Sequence, residues 1–552
     1  MTTPSPDPAE HPGIDPDDLA TTLRVIGMLH ELPPGHPHIG EVKRASGTMY
    51  NRVRKAARRA ARRAERDPMI AHDEAILAKT ATGSPQRIDD ETKGLLLTAG
   101  EGSGAHLSEV GATEAHTEQT FVGELQIPRG CYICHADYTK VDSFYHWLCP
   151  DCARSSHARR DQGTDLTGRR ALLTGGRAKI GMYIALRLLR DGADLTITTR
   201  FPRDAARRFA ELADSSEWLD RLTIVGIDLR DPTQVVALAE EVAAGGPLDI
   251  LVNNACQTVR RTVGAYSHLV DGEQAPLGGE AARVRMVTFD RISEAHPAAL
   301  AGTLRAHAVA HHEDESGTHD VDHTAADASL RGSSVAPQGP GEVAARSAAE
   351  LTSLALTGGQ ASVEAHRAGT AIDAGGLVPD IVRTNSWKQK VDEVDPLEML
   401  EVQLCNQVAP FLLVSRLRES MRAAVEQRRE VGGDRARAYV VNVSAMEGQF
   451  SRRYKGPGHP HTNMAKAALN MLTRTSAGEM FETDRILMTA VDTGWITDER
   501  PHEEKLRIAE EGWRAPLDLV DGAARVYDPI VRGERGEDLY GVFLKNYEPY
   551  AW

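Results

Sequence analysis

Four cysteines fall into two pairs of equal spacing, Cys131-Tyr-Ile-Cys134 and, fourteen residues on, Cys149-Pro-Asp-Cys152. Each short turn aims two sulfurs at one point, and a tetrahedral ion needs two such turns. The spacing predicts a four-thiolate structural Zn2+ site of the zinc-ribbon kind, with no coordination position left open for catalysis. A second group is Leu172 to Gly181, LLTGGRAKIG. An apolar run enters a turn of Thr174, Gly175 and Gly176, which carries Arg177 and Lys179 and closes on Ile180 and Gly181. A turn poor in side chains lets backbone amides approach a pyrophosphate, and a helix starting there adds partial positive charge. A third group is the loop Ser451 to His461, with Tyr454, Lys455, His459 and His461 ahead of Thr462 and Lys466. These are side chains that can give or take protons.

Positioning them requires a regular scaffold, and from Asp165 the pattern supplies one. Apolar strands are expected at 171–173, 194–199, 222–226, 248–253, 438–444, 486–491 and 538–546, with amphipathic segments between most of them. Strands alternating with helices predict an α/β fold of the Rossmann type, a doubly wound parallel sheet with right-handed crossovers. The end of the second strand chooses between cofactors, since an acid there takes the ribose 2′-hydroxyl and a base takes a 2′-phosphate. Thr198-Thr199-Arg200 has no acid before Asp204, which favours NADP(H) over NAD(H).

Residues 165–265 and 385–550 resemble the short-chain dehydrogenase/reductase family. The resemblance rests on Thr174-Gly175-…-Ile180-Gly181, on Asp228-Leu229 after the third strand, and on Asn253-Asn254-Ala255 after the fourth. It implies that the glycine turn holds the pyrophosphate. It also implies that Asp228 meets the adenine, and that Asn254 and Ala255 support the cofactor. Asn406 falls at the family's structural and catalytic asparagine, Lys466 at the lysine that holds the nicotinamide ribose, and Thr493-Gly494 in the loop over the carboxamide. Ser444 lies beside the position of the serine that hydrogen-bonds the substrate oxygen. The family's chain ends often pack across a dimer or tetramer interface, as Tyr550-Ala551-Trp552 would.

The pattern also departs from the family. Lys179 replaces a glycine, Thr462 stands where a tyrosine belongs, Ala445 takes the serine register, and Thr493 replaces a proline. A threonine hydroxyl is a poor acid near neutral pH, so the usual proton transfer does not carry over intact. In one reading Tyr454 or a histidine such as His461 replaces the missing acid, with Lys466 on the ribose and Asn406, Ser444 or Thr462 orienting substrate. In another the nicotinamide is used on a substrate needing no tyrosine. In a third the domain binds cofactor without chemistry. The preferred function is an atypical NADP(H)-dependent oxidoreductase acting on a small carbonyl or alcohol. The alternative is a catalytically inactive NADP(H)-binding regulatory or scaffold protein that contacts a macromolecule through the ribbon and a basic helix.

The 552 residues carry a net charge of −15, which argues against nucleic-acid binding by bulk electrostatics. No signal peptide or membrane-length apolar run is legible, and the cysteine usage fits a reducing cytoplasm. The organisation expected is a largely flexible region over 1–127, a zinc ribbon over 128–160, and the Rossmann domain over 165–552 with an insert at 262–384. The first region contains a basic helix near 50–66. Such a helix can touch phosphates of RNA or DNA, or dock on this chain's own acidic surface. The lack of interleaved aromatics favours docking. At the edges of the insert, Arg260, Arg261 and Trp387 are candidate substrate contacts.

Overall fold

A computed structural model describes residues 13–84, 119–261, 263–289, 293–299, 377, 383–452, 454–496, 499–501, 504, 507–508 and 511–552. The core of the expected insert, including the histidine-rich tract and the helix expected at 341–356, lies outside these residues. So do most of the expected linker and positions 497 and 498.

Helix α1 spans Pro16–Met28, capped by the Asp15 carboxylate, and buries none of its residues. Helix α2, Pro37–Leu77, contains the expected basic segment but is far longer than that segment, as its run of alanine and arginine allows. Only its C-terminal end docks. The Asp73 carboxylate accepts the Gln126 and Ile127 amides at 2.7 and 3.0 Å, and Ile76 packs into the apolar core around the cysteine pairs. The expectation that the basic segment lies on the protein's own surface is therefore corrected, because its cations stand exposed. The region before the cysteines also contains long helix where mostly flexible chain is expected.

Strands β1, Phe121–Gly130, and β2, Asp137–Asp142, form an antiparallel hairpin, followed by helix α3, Pro150–Arg160. The first cysteine pair lies in the hairpin turn and the second at the start of α3. This unit is fastened to the main domain by buried charge. Arg160 donates to both Asp518 oxygens at 2.6 and 3.1 Å and lies 3.2 Å from Asp521, which also accepts the Tyr145 hydroxyl at 2.6 Å.

The main domain continues as β3 (Arg170–Leu173), α4 (Lys179–Arg190), β4 (Asp194–Thr199), α5 (Pro202–Ala210), β5 (Leu222–Gly226), α6 (Pro232–Ala244) and β6 (Ile250–Asn253). Then come α7 (Ser267–Gln274), β7 (Arg285–Thr288), α8 (Pro396–Gln403), α9 (Ala409–Gly432), β8 (Ala438–Ser444), α10 (Pro460–Asp484), β9 (Ile486–Asp492), α11 (Leu519–Glu534), β10 (Phe543–Lys545) and β11 (Glu548–Tyr550). The nine strands run in the order β11-β10-β9-β8-β6-β3-β4-β5-β7, parallel except for the β10–β11 pair. Strand β7 comes from the expected insert and extends the sheet beyond β5. Apolar residues of α4, α5 and α11 cover one face, and those of α6, α9 and α10 cover the other. The chain leaves β3 toward β4 on one side and reaches β6 on the other. The carboxyl ends of β3 and β6 thus form a switch point, where open α/β sheets bind ligands.

Candidate functional site

The turn after β3 is built by close packing. Gly175 has φ +73°, and a Cβ there would sit 3.0 Å from the Ala255 Cα. A Cβ on Gly181 would fall 1.9 Å from the Gly175 carbonyl oxygen, so the first turn of α4 presses directly on the glycine turn. Thr174 is buried and works from behind: its Oγ1 accepts the amides of Asn254 and Ala255, both at 3.0 Å. The Asn254 side chain returns bonds to the carbonyls of Thr174 and Gly175 at 3.1 Å. The amides of Gly175 and Gly176 both donate to the Thr198 carbonyl, at 3.1 and 3.2 Å. The donors left for an anion are therefore those of the first turn of α4, around Ile180 and Gly181, where a helix has no internal acceptors.

Above this turn lies a cavity of about 400 Å³. Gly175, Arg177, Lys179, Ile180 and Gly181 line one wall, Arg200, Asp228 and Leu229 another, and Asn254 and Ala255 the base. Arg200 holds its place through Tyr266, whose hydroxyl accepts its guanidinium at 3.1 Å and whose ring lies 5.1 Å beneath it. Arg177 pairs instead with Asp204 at 2.5 Å. The Asp228 carboxylate is buried and bound by Arg230 at 2.6 Å and by His296 at 3.3 Å. Burial pushes its pKa up, but Arg230 and His296 outweigh that and hold it well below the usual carboxylate range. Arg230 continues to the fully buried Glu401 at 3.0 Å.

Several lining residues, Phe201, Arg230, Tyr266, Ile496 and Glu499 among them, are not picked out by the sequence. Tyr266 had a signal, an aromatic in an ordered-looking stretch at the insert's edge. Arg260 and Arg261 also line the cavity, and Arg261 pairs with Glu499 at 3.3 Å. Trp387 does not line it. Its ring stacks on His459 at 4.0 Å.

The other half-site is differently arranged. Asn406 lies in a single π-helical turn, Leu404–Val408, joining α8 to α9. Its side chain clamps the backbone of Gln257, accepting the amide at 2.7 Å and donating to the carbonyl at 2.9 Å. The Ser444 hydroxyl donates to Asn470 at 2.5 Å, and the Lys466 ammonium donates to the Val443 carbonyl at 2.7 Å. None of Asn406, Ser444, Gln449, His461, Thr462 and Lys466 belongs to the cavity wall. Tyr454 is 74% exposed. At the start of α10, by contrast, His461 and Thr462 are buried, and both ring nitrogens and the Thr462 hydroxyl lack hydrogen-bond partners among the described residues. Burial, with His459 nearby, depresses the His461 pKa to about 4, so the ring is neutral near pH 7. The Gln449 amide, following a short turn that packs on α10, is also buried with neither atom partnered.

Asp492 ends β9, and burial followed by Glu447 raises its pKa to about 6. Beyond it Thr493 and Gly494 are half-buried, with Gly494 at φ +76°. The next amide, of Trp495, donates at 3.0 Å to the hydroxyl of Tyr132, which lies between the first two cysteines. The four sulfurs of Cys131, Cys134, Cys149 and Cys152 all fall within 4.8 Å of one another, with Cys134 and Cys149 at 3.6 Å. A thiolate tetrahedron around zinc has an edge of about 3.8 Å, so the cluster fits a four-coordinate ion.

With this geometry in place, the chain compares with known proteins as follows. Residues 169–269 match the short chain dehydrogenase family. The chain is 27% identical over 414 residues to an uncharacterized protein of Acanthamoeba polyphaga mimivirus, across 73% of this chain and 71% of that protein. It is 44% identical over 91 residues to a probable oxidoreductase of Streptomyces antibioticus, across 16% of this chain and 30% of that one. It thus spans less than a third of the latter relative's length. Among solved structures it is similar to an NADPH-bound carbonyl reductase from chicken fatty liver, with 17% identity and a TM-score of 0.37 over 70% of this chain and 100% of that one. Among the described residues no helix is long and apolar enough to cross a membrane. The match to the short chain dehydrogenase family thus covers the part of the sheet from β3 to β6.

Proposed function

We propose that the protein is an NADP(H)-dependent oxidoreductase of atypical site chemistry, acting on a small carbonyl or alcohol. The observation that carries this reading is the cavity at the β3–β6 switch point, with a helix start on one wall and Arg200 on another. The first-turn amides of α4 would receive the pyrophosphate, with Lys179 beside them. Arg200, steadied by Tyr266, would receive the 2′-phosphate. The neutral residues lining the base, Asn254 and Ala255, support the ring side of the cofactor. When bound, the nicotinamide supplies or accepts the hydride.

The chain's own part in the proton step falls to the unpartnered polar atoms. A buried hydroxyl, imidazole and amide without partners are costly unless a ligand or water completes them. Thr462, His461 and Gln449 are therefore suited to orient a substrate oxygen by hydrogen bonds. His461, neutral near pH 7, can donate a hydrogen bond without adding a charge. Tyr454 and the rest of its loop are not needed for this.

One observation favours the second reading, cofactor binding without turnover. Lys466, Ser444 and Asn406 each spend their polar atoms on the protein itself. The readings separate in one experiment. Purified protein is titrated with NADPH and NADP+, then mixed with a panel of aldehydes, ketones and alcohols while absorbance at the nicotinamide band is followed. Turnover that falls at least ten-fold in Thr462→Val or His461→Ala supports the enzyme. Nucleotide binding without turnover on any substrate leaves the binder. The four-thiolate unit is proposed as a structural zinc site that braces the loop after β9.

A further inference from the structure

The basic segment of α2 has no place in the proposed reaction. Between residues 52 and 66 it holds Arg52, Arg54, Lys55, Arg58, Arg59, Arg62, Arg63 and Arg66, against the single acid Glu65. All eight cations are exposed, and none forms an ion pair with a described residue. At 3.6 residues per turn, Arg52, Lys55, Arg59, Arg62, Arg63 and Arg66 share an arc of about 100° and Arg54 and Arg58 flank it. The opposite face carries Val53, Ala57, Ala60, Ala61 and Ala64.

The segment also stands clear of the body. The helix is anchored at Asp73 and Ile76, its only buried residues. With a rise of 1.5 Å per residue, the cations lie about 10–32 Å along the axis from that anchor. That distance exceeds the screening length of about 10 Å at 0.1 M salt, so the acids of the described sheet domain do not cancel the stripe.

We propose that this arm binds double-stranded DNA through its phosphates. Seven of the eight cations are arginine, whose planar fork grips phosphate oxygens in pairs. The stripe runs about 22 Å along a rod about 10–12 Å wide, a size that enters the B-form major groove, about 12 Å across. The deep, narrow major groove of A-form RNA does not admit it. Single-strand binders interleave aromatics on which bases stack, and this stretch has none. Helices that lie in a lipid surface carry bulky apolar residues opposite the charge, where this one carries alanine.

The test uses the full chain and a labelled 20-base-pair duplex of mixed sequence, followed by fluorescence anisotropy. With about six phosphate contacts, binding should weaken roughly 1000-fold between 50 and 200 mM salt. In the variant R58Q/R59Q/R62Q/R63Q, which leaves three of the six, the same salt step should change affinity only about 40-fold. Glutamine keeps the helix, which circular dichroism checks. NADPH binding of this variant should match the wild type, so the result stands apart from the oxidoreductase reading. The proposal is overturned by no duplex binding at 50 mM salt or by a variant with the wild-type salt dependence. Equal or tighter binding to single-stranded DNA, to duplex RNA or to vesicles of 30% phosphatidylserine in phosphatidylcholine would overturn it too.

Discussion

Lys179 opens α4 with φ +52°, a left-handed conformation that costs a side-chain-bearing residue about 1–2 kcal/mol. Glycine takes this conformation without such strain, and here the strain is held next to the proposed phosphate site, as strained residues often are. Lys179→Gly should raise stability by about 1 kcal/mol while weakening NADPH binding, read by thermal melting and calorimetry. If affinity rises together with stability, the lysine merely obstructs the turn. Asp492 makes a second single-residue case. Its folded pKa of about 6 lies above the ordinary 3.8, so the folded chain holds an extra proton between those values. Stability from this group is full below that window and is lost as pH rises through 6. Asp492→Asn should therefore melt higher than wild type near neutral pH, by up to about 3 kcal/mol, and equal it at low pH. A constant difference at every pH would mean that the carboxyl does not titrate in this window.

The elements that carry these residues were legible to different degrees. Strands β4, β5 and β8 lie at the bounds their apolar runs predict, because a strand buried on both faces writes a continuous signal. Strand β7 gives no such signal, since it is a four-residue edge strand whose residues are only partly buried. That the glycine turn and Arg200 would share one cavity was readable because glycine spacing and a strand-end arginine are local features. The tie between Asn406 and Gln257 was not, since it joins positions far apart in sequence through side-chain orientation. The same holds for the bond from Trp495 to Tyr132, through which the cysteine turn grips the loop after β9. Removing metal with a chelator should speed amide exchange over residues 490–496 as well as over the cysteine turns. Tyr132→Phe should speed it in the loop alone. Exchange confined to the cysteine turns after chelation would mean that the two elements are uncoupled.

Taken as one molecule, the cysteine-bearing hairpin with α3 and the sheet should melt together, because Arg160 is buried between them with Asp518 and Asp521. Removing one member of such a buried group leaves uncompensated charge and costs about 3–5 kcal/mol. Arg160→Ala should split a single calorimetric transition into two or lower it markedly, whereas an unchanged trace would mean that the units are independent. The α2 arm lies outside this cooperative body except at its anchored end.

The NADP(H) reading itself is decided by calorimetric titration of wild type and Arg200→Asp with NADPH and NADH. The wild type should bind NADPH more tightly than NADH, and the variant should lose that preference. Binding of neither nucleotide, or a preference untouched by Arg200→Asp, would contradict it.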